Sequence, residues 1–259
     1  MQSFFPGRAS QSDNLLFLSV DTPETIAQAY ELWDGYSGAP GLLGAAAGAV
    51  DGEAGRYEYD PERRVYIDTR SGRVITEEQL VRYVRKVSDE ASRRMKKSTQ
   101  QLIAGIILLS VWYNRMRSLM RALYKTIWIL SIGGFVFDDD FQRNLFYLFV
   151  LLQFNYLDNF VEQIETGEQP LNGQAMGRAG LYGGYGNGMW QNIWLTRGEE
   201  DGFTEGIRIL GDNENHCHDS GERPGCIELA DLGWVPIRAV IPIGSATCYT
   251  ACHCKIKLR

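Results

Sequence analysis

Every cysteine and every histidine of this 259-residue chain falls between His216 and Cys254: His216, Cys217, His218, Cys226, Cys248, Cys252, His253 and Cys254. Thiols and imidazoles at short, repeated spacings suit a small metal-nucleated module, because soft thiolates and imidazole nitrogens favour zinc. A structural zinc takes four ligands in a tetrahedron, commonly two from each of two chain segments. Cys217 and Cys226 offer the first pair, and two of Cys248, Cys252 and Cys254 the second. The spacing puts Cys217, Cys226, Cys248 and Cys252 first, with Cys254 as the substitute. A structural Zn2+ is therefore the expected cofactor.

Three other uses of the same residues stay open at this point. Disulfides can form if the protein leaves the cell. A catalytic zinc with an open water position can take Glu214, Asp219 or Glu222 as its base. A Cys/His pair can act as a nucleophile. Against disulfides, Met1–Gly7 lacks the basic start and apolar stretch of a secretory leader, and Leu15–Leu18 is too short to supply one. The sequence thus predicts synthesis in a reducing cytosol, where cysteines serve metals more than disulfides. Against an enzyme, no His-Glu-x-x-His occurs. With each histidine inside the cluster, little remains for acid–base work at neutral pH. The expectation is a protein without catalytic residues.

The formal charge of −6 argues against general nucleic-acid binding by the whole chain. The charge is uneven, however. From Thr76 to Lys125 there are eleven Lys and Arg against four Asp and Glu. Arg82, Arg85, Lys86, Arg93, Arg94, Lys96, Lys97, Arg115, Arg117 and Arg121 are the candidate nucleic-acid contacts, against the plainer reading of a solvated helix face. The apolar runs Leu102–Tyr113, Ile127–Phe137 and Leu145–Leu157 fall short of the roughly 18 residues that span a bilayer. They read as buried helices, and a membrane partner is not expected.

Taken in order, the chain predicts a mainly α (α+β) fold. Residues 1–55 form an N-terminal arm with a Gly/Ala linker, including a short helix from Thr22 to Trp33. Residues 56–75 read as a β-hairpin with turns at Asp60–Glu62 and Ser71–Gly72. Residues 76–200 form a long-helix body. It opens with a capping box at Thr76–Gln79 and the periodic Leu80, Val84, Val87, Ala91 and Met95. A second helix covers about 100–130, and no proline separates it from the first. Gly133-Gly134 ends it, and Asp138–Asp140 opens a third helix that runs to Glu165. Those three acids complement a helix N-terminus, which accounts for them without a metal. The glycine string from Arg178 to Trp190 lacks the strand and the Gly-Lys-Ser/Thr of a phosphate loop; close backbone packing or a glycine-weakened helix is the expected use. Residues 201–259 form the Cys/His zinc-binding module. It carries a strand signal at Ile207–Leu210, a helical turn at Ile227–Ala230 and an extended piece at Ala239–Pro242.

The tail resembles the phage Mu-like minor head protein, or phage head morphogenesis, family. The shared pattern is His216-Cys217, Cys226, Leu229-Ala230, Gly233 with Pro236, and Cys248, Cys252 and Cys254. Arg178–Tyr182 with Gly186 and Trp190 is similar to a segment that often precedes that module. In this chain Ser220–Gly225 lengthens the gap between the first two cysteines. The resemblance covers roughly 175–259. It implies a virion component, made in the host bacterial cytoplasm, that acts at or near the portal during head assembly. Implied partners are the portal and major capsid proteins, further copies of itself and double-stranded DNA. The alternatives it brings are a zinc hydrolase, nuclease or ADP-ribosyltransferase-like enzyme, and an ejected pilot protein that meets the host membrane.

Overall fold

The computed structural model describes residues 57–259, apart from 61, 64, 134–139, 212–214, 249–251 and 253. The expected N-terminal arm, Asp138, Asp139, Glu214 and His253 lie outside the described residues.

The first strands are β1 (Tyr57–Asp60), β2 (Val65–Asp68) and β3 (Val74–Ile75), paired antiparallel in that order. The expected hairpin thus gains a third strand, because Asp68 holds the second turn. Its carboxylate accepts from the Arg70 and Ser71 amides and its carbonyl from Gly72. The sheet is anchored by tyrosines. Tyr66 donates its hydroxyl to the Leu130 carbonyl at 2.8 Å, and Tyr59 donates to Asp201 at 2.6 Å.

Helix α1 (Glu77–Ile103) starts at the predicted capping box. The Gln79 amide donates to the Thr76 hydroxyl, and Gln79 Oε1 accepts from the Thr76 amide. Its apolar stripe, including Leu80, Val84, Ala91 and Met95, is buried. The helix does not run on into the next. Gly105, at φ +67°, closes it with the paired bonds of a Schellman ending, Ile106 N–H to Gln101 O and Gly105 N–H to Leu102 O. Helix α2 (Leu109–Ser131) then folds back. The hairpin is pinned by Trp112, fully buried, whose indole N–H donates to Thr99 Oγ1 at 2.9 Å.

Helix α3 (Asp140–Glu165) leans on α2, and α4 (Gly173–Glu200) fills the groove between α1 and α2. Glycine is what lets α4 in. A Cβ at Gly183 would sit 2.5 Å from Ser92 Cα, and one at Gly186 would strike Ile127 and Ser88. The glycine string is therefore a helix face in backbone contact with α1, the packing use expected of it. Trp112, Tyr124, Phe146, Phe160 and Trp190 fill the body's core.

The C-terminal module is a second, smaller core. Strand β4 (Glu205–Ile209) is central, flanked antiparallel by β5 (Val235–Pro236) and β6 (Lys255–Leu258), with the short helix α5 (Cys226–Asp231) against β4. The piece expected to be extended at Ala239–Pro242 starts one residue later, because Ala239 closes a 3-10 turn over Ile237–Ala239 and Val240 is the first extended residue. The fold is mainly helical with small antiparallel sheets, as the sequence reading expects.

Candidate metal centre

The five cysteines reach one place from three stretches of chain. Cys217 lies in the loop after β4. Cys226 is the first residue of α5, and its amide donates to the Cys217 sulfur at 3.2 Å. Gly225, just ahead, is wedged against the His218 and Asp219 backbone, where a side chain does not fit. Cys252 and Cys254 continue the inward alternation of β6, whose Ile256 and Leu258 are buried while Lys257 faces out.

Two sulfur triads result, Cys217/Cys226/Cys248 and Cys226/Cys252/Cys254, each with its ligand atoms within 4.8 Å of one another. Cys226 belongs to both. Its sulfur lies 3.4 Å from that of Cys248 and 3.5 Å from that of Cys252. A zinc–sulfur bond of 2.3 Å in a tetrahedron puts sulfurs about 3.8 Å apart, so the spacing accepts a metal with small adjustment. All five cysteines are free, and these separations are far beyond the disulfide length of about 2.05 Å. The cluster can hold a metal ion. The sequence ranking treated Cys254 as a substitute, whereas it joins one triad as fully as Cys217 joins the other.

The thiols differ in environment. Burial, then the neighbouring Cys252 sulfur, pushes the Cys226 thiol well up. Cys254 is raised by its hydrogen bond with Cys252 and by burial. Cys217 is held below the ordinary thiol range: burial opposes this, but hydrogen bonds from the Cys226 amide and from Cys248 prevail. A divalent cation bound among these sulfurs would supply the charge that lets its ligand thiols ionise.

No family model matches this chain, nor does any curated protein or solved structure.

The module is tied to the helical body through the segment carrying Cys252 and Cys254. Arg85 of α1 donates to the Cys254 carbonyl at 3.2 Å, Asn187 of α4 to the Cys252 carbonyl at 3.5 Å, and the Ile256 amide to Gln191 Oε1 at 3.4 Å. Inside the module, buried Arg208 of β4 reaches the sulfurs of Cys226 and Cys252. None of Arg208, Asn187 and Gln191 stands out in the sequence, since the partners of each are distant along the chain.

Of the residues open to other chemistry, His218 and Asp219 have partners other than the sulfurs. His218 Nδ1 lies 3.2 Å from Glu228 Oε1 at an exposed position, and Asp219 accepts from the Gly221 amide. Glu222 is exposed, and His216 is half-buried.

The basic candidates divide into two sets. Arg82, Lys86, Arg93, Lys96 and Lys97 stand exposed on α1, with Arg93 and Arg94 both on Glu90, whose carboxyl they hold below its usual range. Arg115, by contrast, donates to Gln101. Arg117 lies 4.4 Å over the Phe154 ring and Arg121 6.0 Å from it, so these two pack on α3. Among the described residues, no helix is long and apolar enough to cross a membrane.

Proposed function

We propose that this chain is a structural minor head protein of a tailed phage, in which a Zn2+ ion staples the C-terminal module and has no catalytic part. The observation that carries the reading is the ligand set: five sulfurs from three stretches of chain, with Cys226, Cys252 and Cys254 buried. A centre made only of protein thiolates is a closed, fold-supporting one, whereas catalytic zinc keeps a position for water. The likeness of residues 175–259 to head morphogenesis proteins supplies the rest. In support, its two parts are neighbours in space: the glycine-rich helix α4 carries Asn187 and Gln191, which hold the Cys252 carbonyl and the Ile256 amide.

On this reading the helical body and residues 1–55 contact the portal, the major capsid protein and further copies of the chain. The exposed basic ridge of α1, with Arg82, Lys86, Lys96 and Lys97, faces packaged double-stranded DNA. Protein purified under reducing conditions is expected to carry about one zinc per chain, and chelation is expected to loosen the module. Freshly prepared reduced protein without metal defeats the staple. Labelling the chain in assembled virions is expected to place it beside the portal vertex, and a position spread over the capsid lattice defeats the head-assembly reading.

A further inference from the structure

Arg208 occupies a core position in the three-stranded sheet of the C-terminal module. Along β4 burial alternates, and Gly206 and Arg208 point into the module while Glu205, Ile207 and Ile209 lie nearer the surface. The Gly206 side of that face meets Val240, Ile256 and Leu258. An arginine beside such neighbours, 5% exposed, needs both hydrogen-bond acceptors and a counter-charge. Two acceptors are carbonyls: Nη2 donates to Ile241 O at 2.5 Å and to Pro242 O at 3.3 Å. The other two are sulfurs: Nη1 lies 3.5 Å from Cys226 Sγ and 3.7 Å from Cys252 Sγ. Among the described residues, no carboxylate forms an ion pair with this guanidinium.

Among the described residues, the groups within reach of Arg208 that can supply the balancing negative charge are the sulfurs of Cys226 and Cys252. Neutral thiols do not provide it, and neither does a disulfide. A divalent ion held by four thiolates does, because the centre then carries a net charge of about −2 that one adjacent cation halves. Resting on the metal reading above, we infer that Arg208 is the outer-shell partner of the centre: it fixes Cys226 and Cys252 as ligands in every loaded form and sets the affinity for a thiophilic divalent cation. Hydrogen bonding from a buried cation lowers the charge on two sulfurs at once, and its fork geometry spans both them and the 241–242 backbone. The guanidinium thus sets the position of two ligands relative to β4, and leaves two of Cys217, Cys248 and Cys254 to complete the shell.

The test compares full-length wild type with Arg208→Met, which keeps the bulk and removes the charge, and Arg208→Lys, which keeps the charge and loses the fork. Zn2+ affinity is measured by competition with a chromogenic chelator, and the Cd2+ thiolate charge-transfer band reports the number of sulfurs bound. Arg208→Met is expected to bind Zn2+ about 10- to 100-fold more weakly, with Arg208→Lys between it and wild type. Equal affinity of folded wild type and Arg208→Met overturns the inference and leaves the zinc staple standing. No Zn2+ or Cd2+ binding by wild type overturns both. Where Arg208→Met does not fold, Arg208→Lys decides against Cys226→Ser: affinity within about tenfold of wild type supports the charge requirement. A loss as deep as that of Cys226→Ser overturns it.

Discussion

Arg117 and Lys97 carry the same charge and present it to different surroundings. The guanidinium of Arg117 sits 4.4 Å above Phe154 and donates to the Tyr113 hydroxyl at 3.1 Å, whereas Lys97 is exposed on α1. A phosphate backbone is drawn to charges it can reach, and each lost contact lowers the salt dependence of binding by about one unit in the logarithmic slope. Replacing Arg82, Lys86 and Lys97 together by glutamine is therefore expected to cut the slope for duplex DNA by roughly 3, while Arg117→Gln leaves it unchanged. Filter binding across a salt series measures this, and salt-independent binding by wild type removes DNA from the list of partners. Single residues also mark what the sequence discloses. The Thr76–Gln79 capping box is legible because both halves lie within one turn. Arg208 reads as one more strand residue, because its sulfur partners lie 18 and 44 positions away.

Pairs of elements are harder to read than elements. The periodicity of Leu80, Val84, Ala91 and Met95 announces α1, and the cysteine run announces a metal module, since each signal is local. That α1 and α4 lie in backbone contact is a fact about residues some ninety positions apart; the Ser92 hydroxyl, for example, donates to the Gly180 carbonyl at 2.8 Å. The break between α1 and α2 was within reach, because Gly105 stands where a helix-ending glycine belongs. Lys255–Leu258 gives no strong strand signal and becomes a strand only by pairing with β4. The α1–α4 seam makes an opposed pair of predictions. Gly177, exposed on α4 with nothing near its Cβ position, is expected to gain about 0.5–1 kcal/mol on mutation to alanine, as helical glycines do. Gly183→Ala is expected to lose about 1–3 kcal/mol, because overpacking outweighs helix propensity. Chemical denaturation reads both, and a stabilised Gly183→Ala disproves the close approach.

At the scale of the molecule, the body's core holds several buried phenols. Tyr66, Tyr124, Tyr182 and Tyr185 are all pushed well above the usual phenol range, in each case chiefly by burial. Tyr124 spends its hydroxyl on the Tyr182 carbonyl at 2.8 Å, which favours the protonated form. In the unfolded chain these groups ionise near the ordinary value of about 10. Raised folded-state values mean that their stabilising share is complete below that pH and is lost as the pH climbs past it. The tyrosinate absorbance contributed by these four and the helical circular dichroism are therefore expected to change together, in one steep step above pH ~10. Gradual titration of these four tyrosines near 10 with the helices intact contradicts the packing described. Arg197 extends the same core outward, stacking 3.6 Å over Tyr59 while its Nη1 donates to the Ser131 carbonyl, so the N-terminal sheet and the end of α2 share one cation.

The seam between α1 and α4 also has a genetic reading. Gly180 and Gly183 lie three residues apart on one helix face, and a side chain is unwelcome at both, yet they differ in what blocks it. At Gly180 the obstacle is the far end of Lys96, a flexible chain that a second mutation can shorten. At Gly183 it is the amide nitrogen and Cα of Ser92, which every residue type shares. A selection for suppressors should therefore recover Lys96 changes that rescue Gly180→Ala. It should recover none at position 92 for Gly183→Ala, whose only local repair is reversion.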